Sequence, residues 1–254
     1  MFITGVIFAA VAVLYSAVGF GGGSTYTAIL IETGMHWQLI PPLSLTCNLI
    51  VVSGGVYHFY RSGHLDIRFA MPFIFASVPA AFLGGYLRIN ESLFMLILGA
   101  ALLIAGVLLL ADRKLAPDAD KVKESSTGTR LFIGMALGGL AGVTGIGGGI
   151  YLAPILHLGR LAETRSVAAL CSLFILVNSA AGLAGQLLKL GKTSEQLLDT
   201  SLLILPAAVL IGGQIGSRVG SRWLPAKPIR RLTGAVILLV AIRLLVKLSQ
   251  NLNT

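Results

Sequence analysis

Two glycine-rich runs of the chain have the residue types that can form an anion site from backbone groups. Four glycines fall within Gly19 to Gly23, in GFGGGSTYTAIL, and four within Gly145 to Gly149, in GIGGGIYLAPIL, 126 residues later. Each glycine inside a helix costs about 1 kcal/mol relative to alanine, so both runs are predicted to interrupt a helix. A helix that resumes after each run presents free N–H groups and the positive end of its dipole, which attract anions. The predicted substrate-binding residues of the two runs are Gly21, Gly22, Gly23, Ser24, Thr25, Gly147, Gly148, Gly149, Ile150 and Tyr151.

Other functions of glycine-rich sequences fit these runs less well. The dinucleotide fingerprint GxGxxG would need glycine where Ser24 and Ile150 stand, and the nucleophile elbow GxSxG fails around Ser24. Close helix packing is the remaining alternative, because small residues at a spacing of four serve helix contacts in membranes. We assign packing to isolated glycines such as Gly134, Gly138 and Gly142, and a ligand site to the two runs.

Polar side chains within apolar segments supply the second part of the predicted site. Asn48 and Ser172 occupy matching places in the two halves of the sequence, and Asn178 is a further amide without such a counterpart. We predict that these three residues assist the backbone in binding the substrate. A buried amide can equally hold a neighbouring helix, and that alternative stays open. Other polar residues in apolar segments are Ser53, Ser179, Gln186 and Gln214.

No arrangement of residues in the sequence indicates a metal, a cofactor or a catalytic centre. Cys47 and Cys171 lie in apolar segments without CxxC spacing, and His36 and His58 lie near the ends of segments. No Ser/His/Asp or metal-ligand cluster falls within the apolar segments. The chain is therefore predicted not to be an enzyme and to bind neither a metal nor a cofactor.

The elements that must position these residues are apolar segments long enough to cross a membrane. The chain is 56% hydrophobic and 11% charged, whereas soluble domains carry about 25% charged residues. Charge-free runs such as Phe69 to Leu87 and Leu131 to Gly159 reach the roughly 20 residues that a crossing requires. The net charge of +9 comes from Lys and Arg in short loops, as membrane orientation requires, so nucleic acid is not an expected partner. The sequence predicts an all-α integral membrane protein with eight or more apolar segments.

The two glycine runs belong to two copies of one sequence unit. SLTCN at Ser44 to Asn48 has its counterpart in AALCS at Ala168 to Ser172, and VPAAFLGG at Val78 to Gly85 in LPAAVLIGG at Leu205 to Gly213. Three matches in the same order and spacing exceed what chance similarity of small residues produces. We predict a single membrane domain over residues 1–254, with a first repeat over 1–113, a cytoplasmic linker over 114–129 and a second repeat over 130–254.

The positions of Lys and Arg predict how the two copies are oriented. If each glycine-broken segment crossed the membrane once, 11 of the 19 would lie on one side and 8 on the other. If the chain instead turns back at each glycine run, 14 lie on one side, and the other side holds five: Arg88, Lys189, Lys192, Arg243 and Lys247. The positive-inside rule favours the second arrangement. It predicts two inverted-topology repeats, each a glycine-broken hairpin-like segment followed by three transmembrane helices, with both termini outside.

These features resemble the sulfite exporter TauE/SafE family of bacterial membrane permeases. The resemblance covers essentially the whole chain and rests on the two GxGGG clusters, the segments after them and the paired glycines at Gly84, Gly85, Gly212 and Gly213. The first copy departs from the usual form with Thr27 and Ala28, where the second copy has Ala153 and Pro154. The resemblance implies a multi-pass permease of the bacterial cytoplasmic (inner) membrane that moves sulfur-containing anions such as sulfite and organosulfonates.

The chemistry of the predicted site agrees with export of such an anion. Sulfonates stay anionic at ordinary pH, and no Lys or Arg lies in the central part of a segment, so neutral donors are expected to hold them. No Asp, Glu or Lys at mid-depth could relay a proton, which favours export driven by the membrane potential. The open alternatives are a permease for a cation or an organic acid, and a non-transporting membrane assembly protein. The expected partners are a small anionic substrate and the lipid bilayer, and assembly into a homo-oligomer is left open.

Overall fold

The computed structural model describes residues 2–16, 20–111, 125–191, 197, 199–223 and 226–252, and these residues form helices joined by short connections. A 3₁₀ turn at Trp37–Leu39 precedes the third helix. The helices are α1 (Phe2–Ser16), α2 (Gly23–Glu32), α3 (Ile40–Arg61), α4 (Ile67–Tyr86), α5 (Glu91–Ala111), α6 (Thr127–Thr144), α7 (Gly149–Leu158), α8 (Thr164–Leu190), α9 (Thr200–Trp223) and α10 (Ala226–Leu252). Most of the predicted linker over 114–129, namely residues 114–124, lies outside the described residues, and α6 begins at Thr127.

Among the described residues, four helical segments are long and apolar enough to cross a membrane: Trp37–Arg61, Ile67–Tyr86, Glu91–Leu108 and Arg165–Leu190. Many large apolar side chains lie on the outside of the bundle, such as Phe75, which is 75% exposed. The amides of Asn48, Asn178 and Gln186 are instead fully buried. Polar groups inside and apolar groups outside are the distribution that a hydrocarbon solvent requires. The prediction of an all-α membrane protein is confirmed.

The helix pair α4–α6 packs through direct backbone contact. Gly134 lies against the backbone of Phe73, and Gly138 lies against Ser77. Gly142 continues the same row against Ala81, so the two helices run parallel. A Cβ at any of these glycines would overlap a carbonyl oxygen of α4. Small residues at a spacing of four therefore allow the two backbones to approach closely. The packing role predicted for these isolated glycines is confirmed.

The same arrangement recurs between α1 and α9 in the other part of the bundle. Gly212 lies against the backbone of Ala9, and Gly216 lies against Val13. Gly5 faces Ile204, near the start of α9, so these helices also run parallel. Each glycine-broken segment is therefore held by a helix from the other half of the chain.

Corresponding helices of the two halves run in opposite directions where they meet. In the pair α3–α8, Gly55 faces Ser172 while Gly182 faces Leu45. In the pair α5–α10, Gly99 faces Leu245 while Gly106 faces Leu238. Both pairs are antiparallel, since rising residue numbers on one helix meet falling numbers on its partner.

Helices α1 and α2 form a hairpin that enters and leaves at the same end of the bundle. Gly23 meets Asn48 and Thr27 donates to Ser44 at 3.1 Å, so α2 runs antiparallel to α3. Helix α1 is parallel to α9, and α9 is parallel to α3 because Val51 lies opposite Gly213 and Gly54 lies near Ser217. Hence α1 and α2 are antiparallel, and the chain turns back between them.

Candidate functional site

The two helix breaks depend on glycines in the left-handed region of φ and ψ. Gly22 has φ of 85° directly before α2, and Gly148 has φ of 82° directly before α7. Gly145 and Gly147, between α6 and α7, have φ of 78° and 80°. Residues with a Cβ pay roughly 1–2 kcal/mol in this conformation. Glycine at these positions therefore allows the chain, at each break, to end one helix and start the next within a few residues.

Asn48 on α3 lies between the two glycine runs. A Cβ on Gly21 or Gly23 would overlap its amide, and a Cβ on Gly147 would stand 3.1 Å from its Nδ2. The Asn48 side chain is fully buried, and neither Oδ1 nor Nδ2 has a hydrogen-bond partner among the described residues. An amide buried without a partner costs free energy of about 1–3 kcal/mol per unpaired group. A buried amide without a partner requires an explanation, and a bound water or a ligand would supply the missing hydrogen bonds.

The two runs are also in contact with each other. A Cβ on Gly23 would stand 2.9 Å from the carbonyl oxygen of Ile146, which belongs to the second run. The N–H groups at the two helix starts, those of Gly23, Ser24, Gly149 and Ile150, donate to no acceptor among the described residues. Each start carries about half a positive charge from its helix dipole. Free donors and two positive helix ends therefore meet near Asn48.

Helix α8 also contacts the second glycine run, through Ile175 and Ser179. A Cβ on Gly147 would stand 2.9 Å from Ile175 and 3.0 Å from Oγ of Ser179, and Ser179 Oγ has no partner among the described residues. Sequence reasoning did not select Ser179 for the site. The available signal was its position seven residues after Ser172, which is two helical turns and hence the same face of α8.

Ser172 and Asn178, both predicted for the site, make other contacts. Ser172 Oγ donates to the carbonyl of Ala168 at 2.9 Å and faces Gly55. Asn178 Nδ2 donates to the carbonyl of Phe174 at 2.8 Å, while its fully buried Oδ1 has no described partner. Both residues lie on α8, but the described contacts do not bring either side chain onto the glycine runs.

The side chains that follow the glycines also have other partners. The hydroxyls of Thr25 and Tyr15 are 2.6 Å apart, which ties α2 to α1. Ile150 and Tyr151 belong to an apolar cluster with residues of α5 and α10. Ser24 is buried at the first turn of α2. The contacts that Asn48 makes with the two runs are therefore with the backbone of the glycines themselves.

Comparison with known proteins agrees with the resemblance read from the glycine clusters. The family model described as Sulfite exporter TauE/SafE matches residues 3–244. The chain belongs to the TauE/SafE family. The family is described as an exporter family and its relatives are named probable membrane transporters, so this TauE/SafE protein is a membrane transporter and not an enzyme.

Three relatives of this TauE/SafE protein match along most of their length. The probable membrane transporter protein y4hK of Sinorhizobium fredii is 31% identical, over 94% of this chain and 96% of its own. YjnA of Bacillus subtilis, also named a probable membrane transporter protein, is 24% identical over 92% and 96%. A probable membrane transporter protein of Xylella fastidiosa is 25% identical over 87% of each chain. No solved structure matches this chain.

Proposed function

We propose that this protein exports small sulfur-containing anions, such as sulfite or organosulfonates, across the bacterial cytoplasmic membrane. The observation that carries the proposal is the meeting of the α2 and α7 starts at Asn48, whose amide has no described partner. Two helix N-termini and a carboxamide together suit an oxyanion, because each supplies N–H donors. The family name gives the same substrate class.

The neutral donors of this site suit a carrier that must also release its substrate. No Lys or Arg is among the residues that contact Asn48 or the two glycine runs in the described contacts. A hydrogen bond from a neutral donor to a charged group contributes about 1.5–3 kcal/mol, less than a desolvated ion pair whose disruption costs about 3–5 kcal/mol. A site of this kind holds an oxyanion by shape and donors without trapping it.

We further propose that the two repeats have inverted topology in this membrane. Support comes from the antiparallel pairs α3–α8 and α5–α10, because a twofold axis in the membrane plane reverses each helix relative to its counterpart. The α1–α2 hairpin then enters from outside and the corresponding α6–α7 hairpin from the cytoplasm. This arrangement places 14 of the 19 Lys and Arg, and the linker over 114–129, on the cytoplasmic side.

The residues around the site also support our proposal of export driven by the membrane potential. No Asp, Glu, Lys or His is among the described contacts of the glycine runs and Asn48. The acidic residue closest along α2, Glu32, ends that helix and is occupied by Arg243. An anion leaving a cell that is negative inside moves down the electrical gradient and needs no coupled proton.

Efflux from proteoliposomes tests the substrate class. Vesicles loaded with [³⁵S]sulfite or methanesulfonate should release the anion faster than protein-free vesicles, and unlabelled sulfonates should compete. Acetate and sodium serve as probes of the organic-acid and cation alternatives. Flux of acetate or sodium without flux of either sulfur anion would overturn the proposal. Flux of none of the four probes would favour the assembly-protein alternative.

A further inference from the structure

A cleft of about 260 Å³ opens at the end of the bundle where three separate connections meet. The 3₁₀ turn after α2, the loop between α4 and α5, and the end of α8 each contribute two residues to its wall. The lining residues are Trp37, Gln38, Arg88, Ile89, Lys189 and Leu190. The cleft is therefore built from both halves of the chain and is separate from the Asn48 contacts.

Two positive side chains share this cleft, and no acidic residue in the described part of the chain is paired with either of them. Arg88 follows α4 and Lys189 lies in the last turn of α8. Among the described residues neither one forms an ion pair. Glu91 is the acidic residue nearest to Arg88 in sequence, and it lies in the first turn of α5, where the helix dipole favours a carboxylate.

Helix dipoles neutralise only part of the positive charge of Arg88 and Lys189. Cations near helix C-termini are stabilised by the partial negative charge there, which is about half an elementary charge for each helix. The ends of α4 and α8 together offset roughly one of the two full charges of Arg88 and Lys189. The cleft keeps a net positive charge, and the Gln38 carboxamide adds a neutral donor beside it.

We propose that this cleft is a second anion site, which binds a single oxyanion group such as a sulfonate, a sulfite or a phosphate. Arg88 offers a planar fork that matches two oxygens of such a group, and Lys189 offers a point charge. The volume accommodates one such group with its hydrating water. The proposal does not depend on the identity of the transported solute.

The oxyanion group can come from two sources. Arg, Lys and Trp at helix ends are typical of the membrane interface, where the phosphates of anionic lipids lie. A free oxyanion reaches the same depth from the water phase. Both sources present oxygens of the same charge and geometry to Arg88 and Lys189, so the experiment must separate them.

The test uses the fluorescence of Trp37 in the purified full-length protein, in a Trp223→Phe background so that Trp37 is the remaining tryptophan. Methanesulfonate is titrated against chloride at constant ionic strength, and phosphatidylglycerol is titrated against phosphatidylcholine in mixed micelles. We expect a saturable change of Trp37 emission with at least one probe. Arg88→Gln and Lys189→Gln should each weaken that response about tenfold, as expected for loss of one charge-assisted hydrogen bond.

Arg68→Gln is the matched control, because Arg68 is an exposed arginine at the opposite end of α4. Its response should equal that of the parent protein, and Asn48→Leu should also leave the Trp37 response unchanged even if transport is lost. A response to methanesulfonate identifies a free-anion site, and a response only to phosphatidylglycerol identifies a lipid site. Thermal unfolding with each probe gives a second readout. If neither probe shifts emission or Tm, or if Arg68→Gln weakens binding as much as Arg88→Gln, the proposal is wrong.

Discussion

The side-chain amide of Asn48 lies against the backbone of Gly147, so a residue from the first half of the chain touches the broken helix of the second half. The same amide contacts Gly21 and Gly23 of its own half. One side chain thus joins the two breaks, and its hydrogen-bonding groups have no described partner. This relationship is the reason why we propose a ligand site here, because in ordinary helix packing a buried amide would be paired with the neighbouring helix.

Replacing Asn48 with Leu should abolish most transport and raise stability. Leu has a similar volume and no polar atoms, so it removes the cost of an unpaired buried amide while also removing a donor to the substrate. We expect flux to fall at least about tenfold. Thermal unfolding in detergent should show an unchanged or higher Tm. A lower Tm with normal flux would assign Asn48 to helix packing instead.

Gly23→Ala should lower the stability of the protein through close contacts with Asn48 and Ile146. Gly23 is not in the left-handed region, so its new methyl acts only by meeting the Asn48 amide and the Ile146 carbonyl. Overpacking of this kind costs roughly 1–3 kcal/mol. Combining Gly23→Ala with Asn48→Ala should recover about half of that loss or more, because the second change makes room.

The matched control for Gly23→Ala is Gly139→Ala in α6. A Cβ on Gly139 meets its nearest atom at 3.9 Å, which is ordinary contact. Its stability and flux should match those of the parent protein or rise slightly, because alanine favours a helix. Strictly additive losses in the Gly23 and Asn48 pair would show that the two residues do not share a contact.

Ser179→Ala and Ser172→Ala should differ although both remove one hydroxyl from the same face of α8. Ser179 Oγ lies near Gly147 without a described partner, whereas Ser172 Oγ already donates to Ala168. Loss of a hydrogen bond to a charged substrate should raise the KM of the Ser179 variant by about tenfold or more. The Ser172 variant should stay within about twofold, since an intrahelical bond to the backbone adds little. Equal effects in a flux assay would contradict the geometry of the site.

Cysteine labelling tests the inverted topology. Cys47 and Cys171 are fully buried, so a single exposed cysteine can be followed against a silent background. Thr33→Cys and a C-terminal tag should both be reached from outside intact cells, while Ser125→Cys should react only after permeabilisation. In an arrangement of eight crossings, Ser125 and the C-terminus lie on one side of the membrane, and Thr33 lies on the other. That pattern of labelling would rule out the inverted repeats.

Efflux should follow the membrane potential at constant pH. A monovalent anion gains roughly 2.3 kcal/mol per 100 mV, which corresponds to a concentration ratio of about fiftyfold. Proteoliposomes clamped with potassium and valinomycin should therefore release sulfonate faster when the inside is made negative. Methanesulfonate is a suitable probe because it does not take up a proton in the range used. Dependence on an imposed pH gradient at zero potential would instead demonstrate proton coupling.

The breaks of the two glycine runs were readable from the sequence because they are local. Glycine disfavours helix wherever it stands, so α2 begins at Gly23 and α7 at Gly149 as the composition predicts. The glycine row on α6 was equally readable, since a spacing of four places small residues on one helix face. Both features depend on neighbours within a few residues of the same segment.

The partners of individual side chains were less accessible because they depend on how distant helices cross. Asn48 and Ser172 occupy matching places in the two copies, yet Asn48 touches three glycines of the runs and Ser172 faces Gly55. The first copy and the second are not identical in sequence, and the exact rotation of α8 decides whether Ser172 or Ser179 meets Gly147. That rotation is set by packing against α3 and α4, which no local pattern of α8 reports.

The parallel packing of α4 on α6, and of α1 on α9, also sets an order of events during biosynthesis. Roughly 40 residues separate the end of α4 from the start of α6, about 2–8 seconds of synthesis. Helix α1 waits longer, because roughly 180 residues separate its end from the start of its partner α9, about 9–36 seconds of synthesis. During that interval the nascent chain holds its small-residue faces against lipid or the insertion machinery. The contact between α1 and α9 can therefore form only when nearly the whole polypeptide has been synthesised, so a truncated product without α9 would lack this packing.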